Sequence, residues 1–165
     1  MAANRPVKRG EISRLAARLR KARKKVVFTN GVFDIIHRGH IRYLQKAKAF
    51  GDVLIVGLNS DSSVRRIKGT GRPIQNESDR AAILLALKVV DYVIIFNEDR
   101  PDKLIRQVKP DVLVKGADYK MDEIAGAEFV RSYGGEVKRV VLLKGRSTSR
   151  IIATRIRQLQ VSIRK

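Results

Sequence analysis

The chain has no cysteine, no tryptophan, four prolines, two histidines and only 5% aromatic residues. Without cysteine there can be no disulfide, no thiolate metal site and no cysteine nucleophile. A reducing, cytoplasmic setting agrees with that composition. No apolar run approaches the roughly 20 residues needed to span a bilayer. The N-terminal Lys and Arg residues are not followed by the apolar stretch of a signal peptide. The expectation is a cytoplasmic protein without membrane insertion. Internal repeats and low-complexity tracts are also missing, and 165 residues suit one domain that buries roughly 70% of its unfolded surface.

What the chain has in excess is positive charge, +20 in all. Residues 1–25 carry ten Lys/Arg against Glu11, and residues 138–165 carry nine against no acid. The stretch between them holds 17 Lys/Arg against 15 Asp/Glu, so the body is nearly balanced. The division expected is a basic N-terminal helical extension over 1–25, a domain over 26–160 and a basic tail over 161–165. Basic ends can attract nucleic acid, anionic membrane or polyanionic substrate. Without interleaved aromatics for base stacking, solvated helix faces account for them equally well, and no specific nucleic acid partner is expected. A basic nucleic-acid-binding module is the competing function from another class.

Both histidines lie in one turn, His37-Arg38-Gly39-His40, after the apolar Val26-Val27-Phe28 and before a helical pattern. A strand that hands over to a helix exposes backbone N–H groups at the positive end of the helix dipole, which favours anions. Gly39 lets the chain approach a phosphate closely. The imidazoles add donors that are neutral or charged near neutral pH.

Apolar spacing predicts helices over 11–24 and 39–50, the second closed by Gly51 as a cap. The continuous apolar run 53–58 reads as a strand covered on both faces, as in a parallel sheet. A basic, glycine-containing loop over 65–73 follows, then a helix over 77–87 and a strand over 92–96. Pro101 opens a helix to 108. A strand over 112–114, a helix over 122–133 ended by Gly134-Gly135, a strand over 137–143 and a helix over 147–159 complete the chain. Five strands alternating with helices give an α/β fold: a doubly wound, Rossmann-like, five-stranded parallel sheet with helices on both faces. Ligands bind such sheets beyond the carboxyl ends of the strands. The turn at 37–40 and the segments 59–68, 115–120 and 147–148 would then share one rim.

Thr29-Asn30-Gly31-Val32-Phe33-Asp34 with His37-Arg38-Gly39-His40 resembles the signature of the cytidylyltransferase-like nucleotidyltransferases. Ser147-Thr148-Ser149 resembles their second signature, with serine at 149 where threonine is usual. The resemblance runs from about Val26 to Arg157. Within the superfamily, Ser63 to Gly69, Gly71-Arg72-Pro73-Ile74, Asp111 to Tyr119 and Gly134 to Val137 resemble the branch that adenylylates D-glycero-β-D-manno-heptose 1-phosphate. No sugar-kinase half accompanies them, so the stand-alone form is expected.

That resemblance implies transfer of AMP from ATP to a sugar phosphate, giving ADP-heptose and pyrophosphate for lipopolysaccharide core or surface glycan synthesis. The alternatives are a cytidylyl- or adenylyltransferase for glycerol 3-phosphate or FMN. Direct displacement at the α-phosphorus needs positioning and charge stabilisation rather than a protein nucleophile. It assigns His37 and His40 to the phosphates of ATP. Lys68 goes to the α-phosphate or the acceptor phosphate, or is a solvated loop lysine. Ser147 and Thr148 cap the last helix and donate to the β- or γ-phosphate.

Val32 and Phe33 supply backbone contacts and a wall for the nucleotide, or Phe33 is plain core, and Gly39 gives the close approach. Asp118 takes adenosine or sugar hydroxyls, or is an ordinary turn aspartate. Asp34 binds the acceptor sugar, orients a histidine or stabilises the turn. The glycerol-phosphate branch has an arginine a few residues before its Ser-Thr element; Leu142 stands near that place, so Arg146 or Lys144 would supply the charge. ATP implies Mg²⁺, but no carboxylates are spaced to hold it, and the phosphates would provide most of its ligands. Two histidines without cysteine are too few for zinc, and no protein metal ligand is expected. The resemblance also suggests a homodimer.

Overall fold

The structure is a computed structural model that describes residues 5–141. Strands β1 (Val26–Gly31), β2 (Val53–Asn59), β3 (Tyr92–Phe96), β4 (Val112–Gly116) and β5 (Glu136–Val140) form one parallel sheet in the order β3-β2-β1-β4-β5. Helices α1 (Ile12–Lys21), α2 (Arg38–Lys48), α3 (Asp61–Lys68), α4 (Glu77–Leu85), α5 (Asp102–Val108) and α6 (Ala127–Ser132) surround it. This is the doubly wound, Rossmann-like sheet that the alternation of strands and helices requires.

The continuous apolar strands work because both faces are covered. Phe28, Ile55, Ile94 and Leu113 face one core with Ile12, Leu15 and Leu19 of α1, Leu104 and Ile105 of α5, and Val130 of α6. Their neighbours Val27, Leu54, Val93 and Val112 face the other, with Leu44 and Ala47 of α2 and Leu84 of α4. The period of two along each strand sorts one apolar run into two cores. Each large side chain so buried contributes about 1.5–3 kcal/mol.

The two ends of the sheet differ in chemistry. At the amino ends, the aspartate just before a strand reaches sideways to its neighbour. Asp111 accepts from the Val26 N–H at 2.7 Å, Asp91 from Leu54 N–H at 2.7 Å and Asp52 from Lys25 N–H at 2.8 Å. This end is clamped and closed.

The other end opens at the centre. β1 and β2 stay in register from Val26↔Val53 to Gly31↔Leu58, whereas β1 and β4 pair only at Val27↔Val112 and Phe28↔Leu113. Strand order reverses between β1 and β4, the topological switch point at which such folds bind ligands.

Three local expectations are corrected. Residues 65–68 are helical, not loop: Ser60 caps α3 by accepting from Ser63 N–H at 3.2 Å, and Val64 is buried. Only from Gly69, at φ 85°, does the chain leave the helix. The helix expected from 122 starts at Ala127, because Gly126 stands at φ 77° and cannot continue a right-handed helix. Gly51 is not a left-handed cap; a Cβ there would lie 2.6 Å from the Lys25 carbonyl oxygen, so the residue serves close approach of backbones. The end of the strand expected over 137–143 and the helix expected over 147–159 lie outside the described residues.

Candidate active site

At the carboxyl end of the sheet a pocket of about 570 Å³ is lined by residues that follow β1, β2, β3 and β4. After β1 come Val32, Phe33, Asp34 and His40; Asn59 ends β2; Lys68 ends α3; Asp99 and Arg100 follow β3; Lys115, Asp118 and Tyr119 end or follow β4.

The β1-to-α2 turn is built from its own sequence. His37 is the N-cap of α2, its Nδ1 accepting from the Gly39 N–H at 3.0 Å. That bond satisfies one of the free N–H groups of the first turn of the helix. The rings of His37 and His40 stack at 3.9 Å between centroids and 17° between planes, and Phe33 meets His40 edge-on at 5.2 Å. Phe33 holds φ 46°, a left-handed conformation that costs a non-glycine residue roughly 1 kcal/mol or more. The strain places its ring, buried to 6% exposure, against His40.

Burial and the neighbouring His37 lower the His40 pKa to about 4, against an opposing contribution from the Ile35 backbone. His40 is therefore neutral at pH 7 and carries one N–H. Its Nδ1 is buried without a hydrogen-bond partner among the described residues. α2 is fixed beneath this turn by Tyr43, whose hydroxyl shares a 2.7 Å hydrogen bond with Thr29 and donates to the Val114 carbonyl at 3.2 Å.

Asp34 is 1% exposed, and its carboxylate accepts from Arg72 Nε at 2.7 Å and from the N–H groups of Ile74 and Gln75 at 2.8 and 2.9 Å. These donors commit it to the 72–75 segment rather than to a histidine. Val32 turns its carbonyl to Arg80 at 2.7 Å. Gly39 is buried in the first turn of α2. Lys68 closes α3 and reaches the pocket from a helix, not from a glycine loop. Asp118 lines the wall after β4. Arg146, Ser147 and Thr148 lie outside the described residues.

Two residues were given no role of their own from the sequence, although Lys115 falls in the 115–120 segment expected on the rim. Arg80, fully buried in α4, donates to the carbonyls of Gln75, Val32 and Asn59 and to Asp61. One guanidinium thus ties together the turn after β1, the end of β2, the start of α3 and the loop before α4. Its signal was a charge four residues before Leu84 on an apolar helix face. Lys115, the fourth residue of β4, donates to the Asn30 side-chain oxygen at 2.9 Å and to its carbonyl at 3.2 Å. Burial lowers its pKa to about 8. A lysine ending an apolar strand was its trace in the sequence.

Among the described residues no group of three or more His, Asp or Glu side chains could hold a metal ion, and no helix is long and apolar enough to cross a membrane. The arrangement can receive an anion at a neutral imidazole, a helix N-terminus and several cations around one cavity.

Comparison with known proteins gives the same picture. A family model described as cytidylyltransferase-like matches residues 28–159. The Bifunctional protein HldE of Geobacter metallireducens is 59% identical over 133 residues, covering 80% of this chain and 27% of that protein. The protein of the same name from Wolinella succinogenes is 54% identical over 144 residues, covering 87% and 30%. The chain thus spans less than a third of the length of these relatives. The crystal structure of the lipopolysaccharide core biosynthesis protein from Thermoplasma volcanium GSS1 superimposes with a TM-score of 0.61 at 38% identity, covering 74% of this chain and 99% of that one. A histidine turn at the switch point of a parallel sheet and a family match over most of the residues lead to one assignment: the chain belongs to the cytidylyltransferase-like family.

Proposed function

We propose that this chain is an adenylyltransferase that joins AMP from ATP to D-glycero-β-D-manno-heptose 1-phosphate, releasing pyrophosphate and forming ADP-heptose. The observation that carries the reading is the stacked His37–His40 pair at the start of α2, in the turn that feeds the central pocket. The sugar acceptor is supported by the likeness of segments 63–69, 71–74, 111–119 and 134–137 to the heptose branch. A lipopolysaccharide core biosynthesis protein as structural relative agrees with it.

An oxygen of the acceptor phosphate attacks the α-phosphorus of ATP in line; the bond from that phosphorus to the bridging oxygen breaks, and pyrophosphate leaves with the electron pair. No protein nucleophile takes part. His40, neutral in the free protein, donates its N–H where charge grows on the leaving group, and His37 shares the task. Lys68 neutralises the α-phosphate or the incoming phosphate, and Asp118 holds hydroxyls of the adenosine or the sugar. Val32 and Phe33 form the wall behind the turn. Asp34 serves the acceptor indirectly, by holding the 72–75 segment at the pocket edge. Ser147, Thr148 and Arg146 complete the phosphate contacts in this reading.

No group of three or more His, Asp or Glu among the described residues could hold Mg²⁺; a Mg²⁺ accompanying ATP would take most of its ligands from the phosphates and would supply charge neutralisation there. A homodimer belongs to the same proposal.

A pyrophosphate-release assay that crosses ATP and CTP with heptose 1-phosphate, glycerol 3-phosphate and FMN tests the reaction. Release is expected with ATP and heptose 1-phosphate. Release only with another pair would replace the acceptor or the base, and no release with any pair would overturn the proposal.

A further inference from the structure

Four cations line the pocket, and they are not equivalent. Arg72 is neutralised by the buried Asp34, and Arg100 pairs with Asp102 while 71% exposed. Lys68 is exposed at the end of α3. Lys115 differs from all three: it is partly buried in the wall at the switch point, and among the described residues it makes no ion pair. Its ammonium has three N–H bonds, two of which go to the neutral oxygens of Asn30.

The backbone explains how this came about. Because β1 and β4 stop pairing after Phe28↔Leu113, the Asn30 carbonyl accepts from a side chain where a ladder bond would otherwise lie. The Tyr119 ring covers the ammonium at 5.0 Å. A partly buried cation whose direct partners are neutral is costly, and Asp118 acts on it only through space. Such a charge is tolerated where an anion will arrive, and strongly perturbed groups of this kind collect at functional sites.

We infer that Lys115 is a phosphate-binding residue of the pocket, its remaining N–H and its uncompensated charge receiving a phosphate of ATP or the phosphate of the acceptor at the gap between β1 and β4. This rests on the reading of the pocket as a nucleotidyl-transfer site, and adds to it a cation held in advance on a strand rather than on a loop. Asn30 aims the ammonium and Tyr119 shields it, so that little rearrangement is needed when the anion binds. Lowering of the pKa towards 8 by burial is the cost of this placement, and a bound phosphate reverses it.

The test compares wild type with Lys115→Met, a swap of similar volume without the charge. Calorimetry with ATP alone and with heptose 1-phosphate alone reads binding without turnover, and thermal unfolding without ligand reads the fold. Affinity for one of the two ligands is expected to fall about 10- to 100-fold, the loss for one hydrogen bond to a charged group, while the unfolding midpoint stays level or rises. The ligand affected identifies which phosphate Lys115 holds. Unchanged affinity for both ligands overturns the inference, as does a lowered midpoint with weakened binding, which would make Lys115 a brace for Asn30. If wild type binds the phosphates and Lys115→Met binds one more weakly, but wild type releases no pyrophosphate, the adenylyltransferase reading fails and the inference stands. A wild-type protein that binds neither ligand overturns both.

Discussion

A neutral imidazole offers one N–H donor and an imidazolium two, and burial beside His37 keeps His40 in the neutral form. His40→Ala is expected to slow pyrophosphate release about 10²–10³-fold, the usual loss for one donor at developing charge, with an unchanged circular dichroism spectrum. The same burial links His40 to stability. The unfolded chain takes up its proton near the ordinary value of 6.5, the folded chain only near 4. Between those values the unfolded state binds more protons, so stability falls as pH is lowered through that window and does not depend on His40 above it. Glu11, Glu98 and Glu136, held near 2 by their basic partners, add their own losses only at lower pH. Denaturant unfolding at pH 7 and pH 5 should therefore show a loss in wild type that is smaller in His40→Asn. The spacing of the two histidines was open to reading from the chain alone; the stacking and the depressed pKa depend on what else covers them.

At the scale of elements, the pocket edge is held by two buried groups whose hydrogen bonds go to the protein's own backbone and side chains. Asp34 gathers Arg72, Ile74 and Gln75, and Arg80 gathers Gln75, Val32, Asn59 and Asp61. Replacing Asp34 by alanine leaves Arg72 half-desolvated and two backbone donors without an acceptor. The expected cost is about 2–3 kcal/mol, read by urea unfolding, together with faster amide exchange of Ile74 and Gln75. An aspartate that contacted the acceptor sugar instead would raise KM for that substrate with stability unchanged. Element identity followed well from apolar spacing: β3 occupies 92–96 as read, and α1 buries Ile12, Leu15, Ala16 and Leu19 as its pattern required. Boundaries failed where a cap or a close approach decided. Ser60 started a helix that runs on into the loop expected over 65–73, Gly126 delayed α6, and Gly51 met the Lys25 carbonyl. Caps of one residue carry weak sequence signals, and contacts between distant backbones carry none.

On the scale of the whole molecule, charge and chemistry are separated. The body of the chain is near neutral, and the excess lies at the two ends, so polyanion attraction and turnover should respond to different variables. Binding to a random-sequence DNA duplex is expected to fall steeply between 50 and 500 mM salt, in proportion to the phosphates contacted, and to be the same in wild type and His40→Ala. Filter binding across that series checks it; a loss of DNA binding in the variant would tie the two functions together. The sequence by itself determined the sheet, its two apolar faces, the histidine turn at a helix start and the resemblance to a family, because each depends on spacing within one short segment or on the order of segments. The tertiary structure alone decided that Asp34 is committed to the 72–75 segment, that Arg80 ties four segments together and that Lys115 lines the pocket without an ion pair among the described residues. Those facts depend on which distant groups share a place, 38 residues apart for Asp34 and Arg72 and 85 for Asn30 and Lys115. Spacing along the chain cannot encode them, because only the crossovers of the sheet bring β1, β4 and the loop before α4 together.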